Sequence, residues 1–309
     1  MDWTVSDADA GVRLDKFLAA GNRLGSRRRA SVALDRGKVF VNDIEASPEA
    51  AATKLGRGDR VRVWMDRPGS AHSRTPSRSG DLHILYEDEV LMVLDKPAGL
   101  LAVPLERKAQ ADSVFDQLVT YLRPQGKRKP LVVHRIDRDT SGLVVFAKTA
   151  AAQRALREQF KRHSVERVYR AVVYGHPDPP SGVWRDRLVW DQRALIQKET
   201  HPRDPKGKDA VSRYEVLERF AGTSLIEVRL ETGKRNQIRL QSRLRGHTLV
   251  GEKRYVYGPE ELRPIEFPRQ ALHAFRLELV HPVTGRTLRF EAPLPEDLVA
   301  LVARLRSSV

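Results

Sequence analysis

The chain has 309 residues, no cysteine, and 55 Lys and Arg against 40 Asp and Glu, a formal charge of +15 with an isoelectric point near 10.2. The lack of thiols excludes disulfides, thiolate chemistry and cysteine-rich zinc sites, and no apolar run approaches the roughly eighteen residues that span a bilayer. The cationic excess points to a polyanionic partner, because neutralising phosphates and releasing their counterions supplies most non-specific nucleic-acid affinity. The nine histidines are scattered without metal-ligand spacing, so no metal is expected. Asp2, Asp7, Asp9, Arg13, Asp15 and Lys16 argue against an apolar signal segment. The expectation is a cytoplasmic protein without membrane association, long enough for one large domain and a smaller module.

In chain order, Val12, Leu14, Phe17 and Leu18 fall on one helical face, and Ser26 caps a basic helix closed by Gly37. KVFVND reads as a strand entering a turn, and GRGDRVRVWM as another strand. Residues 67–80 are rich in Pro, Gly, Ser and Arg without apolar periodicity, which predicts a basic linker between residues 1–66 and 81–309. Beyond it, Leu82 to Tyr86 and Val90 to Leu94 are strands, the second stopped by Lys96-Pro97-Ala98-Gly99, and Ser113 caps a helix to Leu122.

The most informative stretch is HRIDRDTSGLVVFAKT, His134 to Thr149. Its first half crowds an imidazole, two arginines and two carboxylates ahead of Thr140, Ser141 and Gly142, which read as turn residues; its second half is a buried strand. A charged loop held between two core strands is a rigid mount for a reactive group, and Asp137 is the first candidate. Ala150 to Lys161 has helical spacing, ERVYRAVVYG is a strand, 182–196 is loosely strand, and SRYEVLERF with TSLIEVRLETG forms a hairpin about Ala221-Gly222. Two more strands joined by a Thr-Gly turn close the domain.

HRIDRDTSGLVVFAK resembles, without a gap, the signature of the RluA-type pseudouridine synthases, and YEDEVLMVLDKPAGLLAVP resembles the opening of their catalytic domain. ERVYRAVVYG resembles their second motif, with Arg167 where lysine is commoner, and TGKRNQIRLQSRLRGHTLVGEKRY resembles a third motif close to TGRTHQIRVHL followed by GHPIVGDxxYG. Here Lys234 stands for arginine, Arg235 for threonine, Asn236 and Gln241 for histidines, and Glu252 for aspartate, while Gln237, Ile238 and Arg239 are retained. The resemblance covers roughly residues 82 to 300. In front of it, RLDKFLA, SRRRA, DRGKVFVND and GDRVRV resemble the S4 RNA-binding domain.

The resemblance implies an α+β fold, a mixed and mostly antiparallel central sheet with flanking helices, preceded by a small S4-like module. It implies cofactor-free isomerisation of uridine to pseudouridine, and a monomer is expected. Asp137 would be the catalytic carboxylate, acting as nucleophile or as a base at C2′, with Arg239 paired to it and Tyr169 at the base. Arg135 would hold the rearranged RNA, with Arg167, Lys234 and Gln237 as further RNA contacts and Arg27, Arg28 and Arg29 along the RNA backbone. Ribosomal RNA is the preferred target. The alternatives are a synthase acting on tRNA, or a non-catalytic RNA-binding or ribosome-assembly factor on the same fold.

Overall fold

The structure is a computed structural model that describes residues 1–35, 37–64, 78–79, 82–104, 112–125 and 129–307. It divides into two compact units, Met1–Ser77 with Tyr86–Asp88, and Arg78–Leu85 with Glu89–Val309. The stretch 67–80, expected as a linker, lies outside the described residues apart from Arg78 and Ser79. Among the described residues no helix is long and apolar enough to cross a membrane.

The first unit contains β1 (Asp2–Thr4), α1 (Leu14–Ala19), α2 (Arg27–Asp35), β2 (Val39–Val41), β3 (Ile44–Glu45) and β4 (Arg60–Val63). Its sheet runs β1-β4-β2-β3. Leu14, Phe17 and Leu18 of α1 pack with Ala30, Ala33 and Leu34 of α2 over Val39, Val61 and Val63, the apolar face read from helical spacing. Ser26 Oγ accepts the Arg29 N–H at 3.2 Å, satisfying one of the donors that a helix start leaves unpaired. Asn42 and Asp43 take φ of 51° and 62°, the left-handed pair that a two-residue hairpin turn requires. β1 has no counterpart in the sequence reading: three residues are too few to display an alternation, and only their pairing with β4 defines them.

The second unit contains β5 (Arg78–Ser79), β6 (Leu82–Glu87, all but its last two residues), β7 (Leu91–Lys96), α3 (Val114–Leu122), β8 (Leu131–Val132) and β9 (Ser141–Ala147). There follow α4 (Ala150–Lys161), β10 (Glu166–Tyr174), β11 (Ser181–Asp191), β12 (Ile196–Glu199), β13 (Lys208–Phe220), β14 (Thr223–Leu230), α5 (Gln237–Leu244), β15 (Leu272–Val280), β16 (Thr287–Glu291) and α6 (Glu296–Arg306). One sheet of 12 strands runs β12-β11-β13-β14-β10-β15-β9-β7-β6-β5, with β16 on β15 and β8 on β9. β9 and β15 run parallel, and the pairs on either side of them, β7–β9 and β10–β15, are antiparallel. This is the α+β arrangement that the motifs implied.

Every residue of β9 is buried, which is why Leu143 to Ala147 is a continuous apolar run instead of an alternation. Val144 and Phe146 pack under Val114, Leu118 and Leu122 of α3. On β10, Val172 packs with Leu298, Leu301, Val302 and Leu305 of α6, whereas Ala171 and Val173 join Ile136, Tyr169 and Trp184 in another cluster. Neighbouring residues of a strand point to opposite faces, so α6 covers one side of β10 and the other side is left to the loop carrying Asp137. α6 is absent from the sequence reading, its start obscured by Pro293 and Pro295. Its four buried apolar residues each contribute at most roughly 1.5–3 kcal/mol.

Ser141 and Gly142, expected as turn residues, instead open β9 and pair with His273 and Ala274 of β15. Gly142 has φ +107°, and a Cβ there would lie 2.3 Å from the Ala274 carbonyl oxygen. Close approach of two backbones demands the glycine, not a change of chain direction.

Candidate active site

The loop from Val133 to Thr140 joins β8 to β9 and is tied down from several parts of the unit. His134 Nε2 accepts the Val145 N–H at 3.1 Å, and its ring stacks on Phe160 of α4 with centroids 4.5 Å apart. Burial, and then the charge of Arg167, push the imidazole pKa down to about 3, so it stays neutral and able to accept. Lys96, at the end of β7, donates from Nζ to the carbonyls of Pro97 at 2.6 Å, Leu100 at 2.8 Å and Arg138 at 2.8 Å. Arg269 Nη1 donates to the Asp139 carbonyl at 3.1 Å, and Gln270 Nε2 to Thr140 Oγ1 at 3.2 Å. A loop restrained at both ends and in the middle holds one geometry, which is what a reactive group requires.

Asp137 is the residue this loop presents. Its Oδ2 accepts from Asn236 Nδ2 at 2.6 Å and from Arg239 Nη1 at 3.1 Å. No hydrogen bond to Oδ1 is found among the described residues, and the side chain, 26% exposed, lines a cleft of about 570 Å³. One oxygen is therefore fixed by two donors while the other is available to a substrate.

The two donors are themselves held. Arg239, on α5, directs Nε and Nη2 at Glu252 Oε2 and Oε1, at 2.6 and 2.7 Å. Glu252 has a fully buried side chain and also accepts the N–H groups of Arg254 at 2.7 Å and Tyr255 at 3.1 Å. Burial opposes both charges, but the forked pair outweighs it, leaving the pKa of Arg239 raised and that of Glu252 lowered. Asn236, which precedes α5, has φ 52° and ψ 25°, a left-handed conformation that asparagine tolerates better than most residues. Its Oδ1 accepts from the Tyr255 hydroxyl at 3.3 Å, so both ends of the amide are engaged.

Tyr169 lines the same cleft from β10 and is 8% exposed. Burial chiefly raises its pKa, so the phenol remains protonated. It offers a flat ring with one hydrogen-bonding group. Arg135, Arg167 and Lys234 also line the cleft, whereas Arg27, Arg28 and Arg29 are exposed on α2 in the first unit.

Gln237, expected as an RNA contact, also lines the cleft. It is 2% exposed, and its Oε1 accepts from Thr232 Oγ1 at 2.8 Å and the Lys234 N–H at 2.9 Å. Its Nε2 donates to the Val211 carbonyl at 3.1 Å and Ser212 Oγ at 3.0 Å. An amide with both ends so occupied shapes the 232–236 loop and has little left for a ligand. In the sequence, Asn236 and Glu252 stand out only as departures from the third motif, and Tyr255 only as the tyrosine that closes it. Lys96 reads as no more than the end of a strand, although a lysine closing an apolar run before Pro-Ala-Gly is itself a signal that its charge must be met inside.

The model of the RNA pseudouridylate synthase family matches residues 90–243. The ribosomal large subunit pseudouridine synthase D of Pseudomonas aeruginosa is 40% identical over 309 residues, covering 96% of this chain and 92% of its own. The uncharacterized RNA pseudouridine synthase YlyB of Bacillus subtilis is 36% identical, covering 100% of this chain and 99% of its own. Among solved structures, human RNA pseudouridylate synthase domain containing 4 shares the fold, with a TM-score of 0.59 and 23% identity over 72% of this chain and 92% of that one. Relatives spanning the whole length, together with the shared fold, make this chain a member of the RNA pseudouridylate synthase family, as its RluA-type motifs implied.

Proposed function

We propose that this RNA pseudouridine synthase modifies uridine in large-subunit ribosomal RNA, with Asp137 as the working carboxylate. The observation that carries the assignment of Asp137 is its asymmetry: Oδ2 is fixed by Asn236 and Arg239, while Oδ1 remains for the substrate. The relatives from Pseudomonas aeruginosa and Zymomonas mobilis are both named ribosomal large subunit pseudouridine synthase D, which supports ribosomal RNA over tRNA.

The target uridine must first leave its stack, at a cost of about a few kcal/mol. Tyr169 then offers its ring to the extruded base, and Asp137 Oδ1 meets the sugar, either attacking C1′ or taking the C2′ proton; the same oxygen serves both routes. The bond from C1′ to N1 breaks, the base turns, and C5 bonds to C1′. The C5 proton leaves and N1 gains one, so atoms balance with no redox partner. Arg239 holds the carboxylate in orientation, and Arg135, exposed beside it, reaches the RNA from which the base departed.

Residues 1–66 act in this reading as an S4-like module whose exposed Arg27, Arg28 and Arg29 meet phosphates, joined through 67–80 to the catalytic domain 81–309. We read the enzyme as a monomer, and the substrate class supports action in the cytoplasm.

The test follows release of tritium from C5-labelled uridine in ribosomal and transfer RNA transcripts. Wild type should release it from large-subunit RNA, and Asp137→Ala should bind that RNA yet be slower by at least about 10³-fold. Activity of the variant within about tenfold of wild type refutes the assignment of Asp137. Modification confined to tRNA overturns the target.

A further inference from the structure

Arg167 stands apart from the other buried arginines of this unit. It is 8% exposed, its Nε is buried without a hydrogen-bond partner, and no ion pair to its guanidinium is found among the described residues. Arg239 and Arg269, comparably enclosed, each meet a carboxylate at 2.6 to 2.7 Å, Glu252 and Asp297 respectively. Instead, Arg167 has the Phe160 ring at 5.5 Å from Cζ and the bare backbone of Gly233, where a Cβ would fall 2.3 Å from Nη1. Aromatic contact at that distance compensates little of the charge, and an uncompensated buried cation is expensive to maintain. The fold keeps it nonetheless, at the wall of the cleft.

The surroundings are cationic as well. Lys161, His163 and Lys234 line the same cleft. His163 has its pKa lowered by burial first and then by Arg167 and Lys234, against the opposing pull of Glu231, itself paired with Arg213 at 2.6 Å. His134, the other titratable neighbour, is neutral and accepts from the backbone. Among the described residues no carboxylate pairs with Arg167 at this end of the cleft.

We propose that Arg167, assisted by Lys234, forms a phosphate subsite that grips a backbone phosphate of the target nucleotide when its base is extruded. The inference rests on the RNA-modifying reading above, which makes a phosphodiester the anion at hand. Position supports it too. Arg167 and Tyr169 are two residues apart on β10, hence on one face and about 7 Å apart along the strand. The irregularity in this stretch lies on β15, where Phe275 is skipped between Arg276 and Ala274, so β10 keeps its alternation. A base on Tyr169 and the phosphate of its own nucleotide on Arg167 have a separation of that order. A guanidinium also meets two phosphate oxygens at once, which a lone uracil carbonyl cannot reciprocate.

The test combines variants with RNA in which a single phosphate flanking the target uridine, on the 5′ or the 3′ side, is replaced by an uncharged methylphosphonate. Affinity and single-turnover rate are measured for wild type, Arg167→Gln and Arg167→Lys. At one of the two positions, neutralisation should cost wild type about 10–100-fold and cost Arg167→Gln nothing further, with Arg167→Lys between them. A merely structural arginine would give losses that add. Additive losses at both positions, or no effect of either methylphosphonate on wild type, overturn the proposal. If Arg167→Gln does not fold, Arg167→Lys with wild type still decides it. A wild type that binds RNA but makes no pseudouridine defeats the functional reading instead, and the affinities alone then judge the phosphate subsite.

Discussion

Replacing Glu252 by glutamine tests whether Asp137 is oriented by a chain of charges or by its own loop alone. The substitution preserves shape and removes one buried negative charge. In the wild type this carboxylate accepts four hydrogen bonds, two of them from Arg239 at 2.6 and 2.7 Å. The glutamine amide turns a donor toward the guanidinium, so the fork is lost. Breaking a buried pair from one side costs about 3–5 kcal/mol. Arg239 keeps Asp137 at 3.1 Å and is 12% exposed, so water can relieve part of the loss, and about 3 kcal/mol is the expected destabilisation. That corresponds to roughly 6–12 °C in the melting of a unit this size. Freed from Glu252, Arg239 still pairs with Asp137 but is no longer held in one orientation, so Asp137 Oδ2 is less well placed and the single-turnover rate should fall about 10–100-fold while RNA affinity changes little. The pKa of Glu252 is lowered in the folded state, so its contribution is complete above the ordinary carboxylate value of about 4.3 and is lost as pH falls through its own lower value. Urea unfolding and tritium release together provide the check. A variant within about 0.5 kcal/mol and about twofold of wild type at pH 7 refutes the coupling.

Asn236→Gly should keep the left-handed backbone while deleting the 2.6 Å bond to Asp137, lowering kcat about tenfold with little change in KM; Asn236→Ala should add about 1 kcal/mol of strain, seen in urea melts. Lys96→Met leaves three carbonyls of the KPAG turn and the catalytic loop without their donor, and unfolding should show a loss of about 2–4 kcal/mol. His273, fully buried between Ser141 Oγ at 2.9 Å and the Ala292 carbonyl at 3.1 Å, has its pKa pushed down, mainly by burial, to about 4. Its unfolded value is about 6.5, so the folded state should lose about 3 kcal/mol as pH drops from 6.5 to 4. His273→Gln should flatten that slope, and an unchanged slope would contradict the assignment.

The N-cap at Ser26, the cap at Ser113 and the bounds of α4 were legible because each is local: a hydroxyl before a helical period needs no distant partner. The burial of most of β9 was legible for a similar reason, since the five apolar residues Leu143 to Ala147 in a row suit a strand covered on both faces. Asp137 was singled out by a charged loop between apolar strands, and the family resemblance added Arg239 and Tyr169. β1 and α6 were missed, the first because three residues carry no period, the second because two prolines stand before its apolar face. Gly142 looked like a turn residue because sequence does not reveal that another backbone passes 2.3 Å from its missing Cβ.

What the chain's residues determined by themselves is the periodicity of its elements, the cationic balance and the loop that carries Asp137. What only the tertiary structure decided is which side chains meet there: Glu252 lies 115 positions beyond Asp137 in the sequence yet reaches it through one shared guanidinium. Arg167 is an ordinary basic residue in the string and, among the described residues of the fold, a charge without an ion-pair partner and with its Nε unbonded. Propensity and hydropathy are properties of neighbours along the chain, whereas electrostatic compensation depends on distances that exist only after the sheet has closed.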